Sequence, residues 1–211
     1  MSKNNLVEIV CVIDRSGSME SIKSDAIGGF NTFLAAQKKV PGDAKLTMAL
    51  FNHTYRLVYD CEDLQAANPI DETTFNPGGT TALLDAVGRT IDDIGKRLAG
   101  MPENERPESV VFTILTDGLE NSSKHYTRKR IHEMIKHQRE KYAWEFVFLA
   151  ANQDAFAEAE SLGIDRDQAH TFAPDADGIK YAMAVVCEKV SDYRLTASKK
   201  QARRAKSGCT A

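Results

Sequence analysis

Closely spaced cysteines are missing from this chain. Its four cysteines, Cys11, Cys61, Cys187 and Cys209, stand far apart and form no CxxC pair, which excludes the common zinc frameworks. A basic excess is missing too. Against 27 Lys and Arg there are 30 Asp and Glu, a formal net charge of -3. A protein that coats nucleic acid is therefore not expected. No apolar run reaches the roughly 18 residues of a membrane span. The apolar run over 6–13 contains Glu8, ends in Asp14 and has no small-residue cleavage site. It reads as a strand and not as a signal peptide. Reduced thiols and a cytoplasmic location are the matching expectation. The phosphate-cradling G-x-x-x-x-G-K-[ST] loop is absent. None of the five histidines pairs with Cys or Ser at a catalytic spacing. An enzyme is not expected.

What is present is a core-forming chain of 211 residues with 42% hydrophobic content, enough for one ordinary domain. Apolar runs alternate with helical patterns. Strands are predicted over 6–13, 46–51, 55–59, 109–116, 144–149 and 168–172. Helices are predicted over 19–38, 81–98, 126–141, 154–162 and 175–197. Asn52-His53-Thr54 looks like a hairpin turn, which makes the 55–59 strand antiparallel to the rest. The connection over 61–79 is long, so it is either functional or holds a short helix around 62–67. This alternation means an α/β fold: an open, mostly parallel sheet with helices on both faces. Residues 1–197 form the expected domain. Residues 198–211 are basic, with almost nothing apolar, and read as a frayed helix end and disordered tail.

One constellation carries chemistry. The first strand ends in Asp14-Arg15-Ser16-Gly17-Ser18, an acid and two hydroxyls at i, i+2 and i+4. A second acid, Asp117 of Thr116-Asp117-Gly118, ends the strongly buried strand over 109–116. Ligands of open parallel sheets bind beyond the carboxyl ends of the strands. If these two strands are neighbours whose connections run in opposite directions, both acids meet in the switch-point crevice. Between them in sequence lies Gly78-Gly79-Thr80-Thr81, which sets a threonine hydroxyl at a helix start. Three oxygen-rich loops without His or Cys suit a hard cation such as Mg²⁺. Hydroxyls in direct contact would leave the cation short of negative charge, so a carboxylate from another molecule becomes a favourable ligand. The competing reading of Asp14, Ser16 and Ser18 is an N-cap cluster for the next helix.

Asp14-x-Ser16-x-Ser18, the threonine after the glycine pair and the Asp117-Gly118 turn resemble the metal-ion-dependent adhesion site (MIDAS) of von Willebrand factor type A (VWA) domains. These include the inserted domains of integrins. The resemblance covers about 6–195. It implies a Rossmann-like six-stranded sheet with one antiparallel edge strand. It also implies Mg²⁺ or Mn²⁺ held by Asp14, Ser16, Ser18, Thr81 and Asp117, and a partner protein that offers an Asp or Glu carboxylate. Thr81 is favoured by its spacing to Asp85-Ala86-Val87, with Thr80 as the alternative. Met19, Thr80, Glu120 and Asn121 are the candidate partner-binding rim; the competing reading of Glu120, Asn121 and Ser122 is a polar loop followed by capping. The stretches over 116–123 and 148–154 look like those of short stand-alone bacterial and phage members, which sets the expected action inside a bacterial cell. Two other readings compete: a Mg²⁺-dependent hydrolase, and a purely structural metal site. Against the hydrolase, position 16 is Ser where aspartyl-phosphate enzymes carry a second acid.

Overall fold

The computed structural model describes residues 6–151 and 155–207, with side chains described as far as residue 196. Its centre is β1 (Val7–Asp14), all eight residues of which are buried. β1 pairs in parallel with β2 (Ala44–Phe51) on one side and β4 (Ser109–Thr116) on the other. β5 (Glu145–Ala150) and the short β6 (Ala169–Thr171) continue the sheet in parallel. β3 (Tyr55–Asp63) returns antiparallel along β2. The order is β3-β2-β1-β4-β5-β6, so the expected six-stranded sheet with one antiparallel edge strand is the observed one.

Alternate residues of β1 feed two cores. Val7, Ile9, Cys11 and Ile13 face α1 (Lys23–Gln37) and α5 (Ala176–Ser207). Val10 and Val12 face α2 (Leu83–Gly100) and α3 (Arg128–Tyr142), and α4 (Ala155–Ser161) completes that layer. Trp144, Phe146 and Phe148 pack in the second core, as their strand pattern predicts. Glu8, fully buried on this face, is held by Thr47 Oγ1 at 2.7 Å and by the Arg97 guanidinium.

Three expectations differ from the structure. The helix expected over 19–38 is divided into a 3₁₀ segment, Gly17–Ile22, and α1. Met19 N–H bonds Ser16 O, three residues back, because Met19 and Ile22 turn inward before the α-helical register begins. No helix forms around 62–67. β3 instead runs to Asp63 through an irregularity at Cys61, whose φ is +53°, and a turn follows. The long connection after it is anchored: Leu64, Ala67, Ile70 and Phe75 are buried, and Asn31 exchanges two hydrogen bonds with the Ile70 backbone. Finally, α5 continues past 197 to Ser207. The Lys, Arg, Ala and Gln residues there are strong helix formers. Residues 208–211 lie outside the described ones. Among the described residues, no helix is long and apolar enough to cross a membrane.

Candidate metal centre

The chain leaves β1 toward β2 on one side and leaves β4 toward β5 on the other. The switch point therefore falls between β1 and β4, at the carboxyl ends that carry Asp14 and Asp117. Asp14 is fully buried. Its Oδ1 accepts from Ser16 N at 2.6 Å, and its Oδ2 accepts from Thr116 Oγ1 at 2.6 Å. Ser18 Oγ donates to Asp117 Oδ1 at 2.6 Å. Ser18 has one proton, so in the 3.2 Å contact between the two serine hydroxyls Ser16 is the donor.

The third loop is tied in through its backbone. Gly17 N–H donates to Gly79 O at 3.0 Å, and Gly78 N–H donates to Arg15 O at 2.9 Å. Gly79 has φ +77°, and a Cβ there would lie 2.1 Å from His53 Nδ1, so only glycine fits this turn. Thr81 N–H donates to Asn121 Oδ1 at 2.9 Å, while Thr81 O accepts from the N–H groups of Asn121 and Ser122. Asn52 O accepts from Ala82 N–H, which joins the β2–β3 turn to the same point.

Gly118 reports where the oxygens converge. A Cβ placed on it would lie 2.9 Å from Thr81 Oγ1, 3.5 Å from Ser16 Oγ and 3.6 Å from Asp14 Oδ2. Three side chains from two loops thus surround one point on the third, kept open by the lack of a side chain at 118. Thr81 is buried, whereas its neighbour Thr80 is exposed. The donor set is two carboxylates and three hydroxyls. No group of three His, Cys, Asp or Glu residues suited to a metal occurs among the described residues. Burial pushes the Asp14 carboxyl up to about 6, with its partial hydrogen bonds opposing the shift and Asp117 adding to it. Burial raises Asp117 as well, against the Ser18 hydrogen bond. Two desolvated acids without a cationic side chain are what a hard divalent cation compensates, so the residues fit that group.

The rim differs from expectation at two residues. Met19 is buried beneath the loop, because the 3₁₀ turn points it into the core, so it is no part of a rim. Glu120 is turned inward. Its carboxylate accepts from the N–H groups of Leu84, Ser122 and Ser123 and from Ser123 Oγ, so it caps the start of α2. Thr80 and Asn121 are exposed beside the crevice, although the Asn121 amide is committed to Thr81. Sequence reasoning missed Thr116, whose hydroxyl orients Asp14, and Leu119, which is 59% exposed beside Asp117. A threonine closing the strand directly before Asp117 was the available signal for the first.

The fold and crevice define an open α/β domain with an oxygen-lined site at its topological switch point. A family model described as von Willebrand factor type A domain matches residues 8–185, and the chain belongs to that family. No curated protein matches it. Among solved structures, proximal thread matrix protein 1 from the mussel byssus, in a form described with a zinc-occupied MIDAS motif, is 16% identical with a TM-score of 0.61. That match covers 89% of this chain and 46% of the other. The pilus adhesin SpaC from Lactobacillus rhamnosus GG gives 15% identity and a TM-score of 0.64, over 88% of this chain and 30% of that one. A mutant of the PilB minor pilin from Streptococcus sanguinis gives 10% identity and a TM-score of 0.61, over 90% and 62%. At such identities the likeness is one of fold. The chain spans about half the length of the mussel proteins.

Proposed function

We propose that this protein is a divalent-cation-dependent protein-binding module. Asp14, Ser16, Ser18, Thr81 and Asp117 hold one Mg²⁺ or Mn²⁺, and a partner's Asp or Glu carboxylate completes the site. VWA domains generally act in metal-dependent protein interaction or adhesion. The observation that carries the reading here is the convergence of Thr81, Ser16 and Asp14 oxygens on the point beside Gly118. With hydroxyls in direct contact and the two carboxylates acting through water, the inner sphere is short of negative charge, which favours an incoming carboxylate. The proposed place of action is the cytoplasm of a bacterial cell, and the proposed VWA unit ends near residue 197, before the basic stretch over 198–211.

The test is a pull-down from the source cell's lysate with the intact chain and with Asp14→Ala as baits, each in Mg²⁺ and in EDTA. A band that needs both Mg²⁺ and Asp14 is the expected result. Titration with Mg²⁺, Mn²⁺ and Zn²⁺, followed by thermal unfolding, ranks the metals. If Asp14→Ala still folds and captures the same partner, the reading is wrong. Metal-dependent turnover of a phosphate ester that is lost in Asp14→Ala would replace it with a hydrolase. A metal-raised melting temperature without any metal-dependent ligand would leave a structural ion.

A further inference from the structure

Beside the metal loops, on the side of the β2–β3 turn, lies a cavity of about 610 Å³. Thr80 and Ala82, the two neighbours of Thr81, are both in its wall. The cavity wall thus flanks Thr81, the candidate metal ligand, on both sides in the chain.

The cavity has a definite sign. Arg89, Lys124, His53 and His125 line it, all exposed. The chain as a whole is acidic, so this concentration of basic side chains is local. Asp85 is the one carboxylate among the described residues of the wall, and its oxygens are engaged by backbone N–H groups. Its Oδ2 accepts from Lys124 N at 2.8 Å, and its Oδ1 accepts from His125 N at 2.8 Å and Tyr126 N at 2.9 Å. These bonds also pin the backbone that carries Lys124 and His125. Arg89 stacks on the Tyr55 ring, 4.3 Å from its centroid, which holds its guanidinium over the cavity floor. Its one ion pair among the described residues, to Asp93 at 3.5 Å, is exposed on both sides and is weakened by solvent. Ser122 Oγ, in the inner wall, is a buried atom without a hydrogen-bond partner among the described residues.

We propose that this cavity is a second anchoring pocket for the same partner, taking another acidic side chain from the extended segment whose carboxylate reaches the metal loops. The inference rests on the metal-dependent reading above. Charge complementarity and continuity with that site select the occupant. Side chains two residues apart on an extended segment share a face and lie about 7 Å apart, a span that fits a pocket flanking Thr81. The pocket therefore sets which acidic segments are chosen, while the metal supplies the shared anchor.

The probe is a library of capped peptides of about ten residues, with one fixed Asp and all other positions randomised. It is panned against the full chain in Mg²⁺ and in EDTA. The expected Mg²⁺-dependent binders are enriched in Asp or Glu two to four positions from the fixed Asp. Against the Arg89→Glu/Lys124→Glu protein, that enrichment disappears while Mg²⁺-dependent binding of singly acidic peptides persists. In a double-mutant cycle, the best peptide loses about tenfold or more in affinity to this variant. The same peptide with its second acid replaced by Ser binds both proteins equally. An unchanged Mg²⁺-induced melting shift shows that the variant keeps its fold and metal centre. Mg²⁺-dependent binders with neutral or basic flanks, or an acidic preference indifferent to the charge reversal, overturn this inference alone. If Mg²⁺ raises the melting temperature but no peptide binds in its presence, the carboxylate-capture reading falls, and this one with it.

Discussion

Ser18 donates its hydroxyl proton to Asp117 Oδ1 at 2.6 Å, across 99 positions of chain. With Ser16 donating to Ser18, this places both serine hydroxyls and the second acid in one chain of contacts before any cation arrives. Pre-organisation of this kind lowers the ordering cost of binding. Ser18→Ala removes one ligand and the contact that orients another. It is expected to weaken Mg²⁺ binding by tenfold or more in calorimetry, with little change in metal-free stability, because Ser18 is exposed.

Asp14 is expected to destabilise the metal-free protein at neutral pH. Burial raises its carboxyl from the ordinary 3.8 to about 6, so the folded state holds the proton more tightly than the unfolded one. Stability from this source is full below about pH 4 and is lost as pH rises through about 6. Asp14→Asn removes that loss. An Asn at 14 can still accept from Ser16 N and can donate to Thr116 Oγ1, whose own proton then reaches Gly118 O at 3.0 Å. In EDTA at pH 7.5 the variant should melt several degrees above the parent, with roughly 3 kcal/mol as the upper bound. The two should converge near pH 4, and Mg²⁺ should shift the parent alone. An equal or lower melting temperature at pH 7.5 contradicts the prediction.

Gly118→Ala tests the geometry of the crevice without replacing a ligand. The added methyl lies 2.9 Å from Thr81 Oγ1 and fills the point that the oxygens surround. Residue 118 is not among the positive-φ positions, so alanine is tolerated by the backbone. The expected result is a folded protein whose melting temperature no longer responds to Mg²⁺. The parent should gain about 2.7 kcal/mol at a hundredfold excess over Kd.

Asp85 moves with pH in the opposite sense. Burial pushes its carboxyl up, but the N–H groups of Lys124, His125 and Tyr126 outweigh burial and hold it below the ordinary value. Its contribution is therefore present above about pH 4 and is lost as pH falls through the lowered folded value. Asp85→Ala should cost about 1–3 kcal/mol at neutral pH and speed amide exchange at 124–126. The gap to the parent should close in acid. A gap that persists at pH 2 would tie the loss to packing instead.

Arg194 should be a major support of α5. It is 2% exposed and donates to Gln37 O, Gln37 Oε1, Val40 O and Gly42 O, at 2.5, 3.0, 3.0 and 2.8 Å. Arg194→Ala strands these acceptors and removes a large buried side chain, at a cost of about 3–5 kcal/mol. Chemical denaturation reads this directly. A change below 1 kcal/mol would mean that the C-terminal part of α5 contributes little to the folded state.

Much of the sheet was legible because β1, β4 and β5 are buried on both faces and so read as continuous apolar runs. The antiparallel partner was legible from the turn Asn52-His53-Thr54. The length of β3 was not, since its far end is polar, exposed and kinked at Cys61. Asp14, Ser16 and Thr81 do come together, and their order along the chain was the signal. Between the two readings of Glu120, rim or capping loop, the sequence could not choose, because one of its targets, Leu84 N–H, is 36 positions away, while the Ser122 and Ser123 N–H groups are local. Met19 carried its own warning: an apolar side chain next to an exposed Ser18 points the other way.

The buried Arg194 has one more implication. Its grip on Val40 and Gly42, just ahead of β2, places the later part of α5 at the rim of the sheet where β1 and β2 begin. Val7, at the start of β1, and Arg194 thus both lie at the pole away from Asp14 and Asp117. A linker placed at Leu195, which is exposed beside Arg194, would therefore leave the crevice facing outward in a tethered assay.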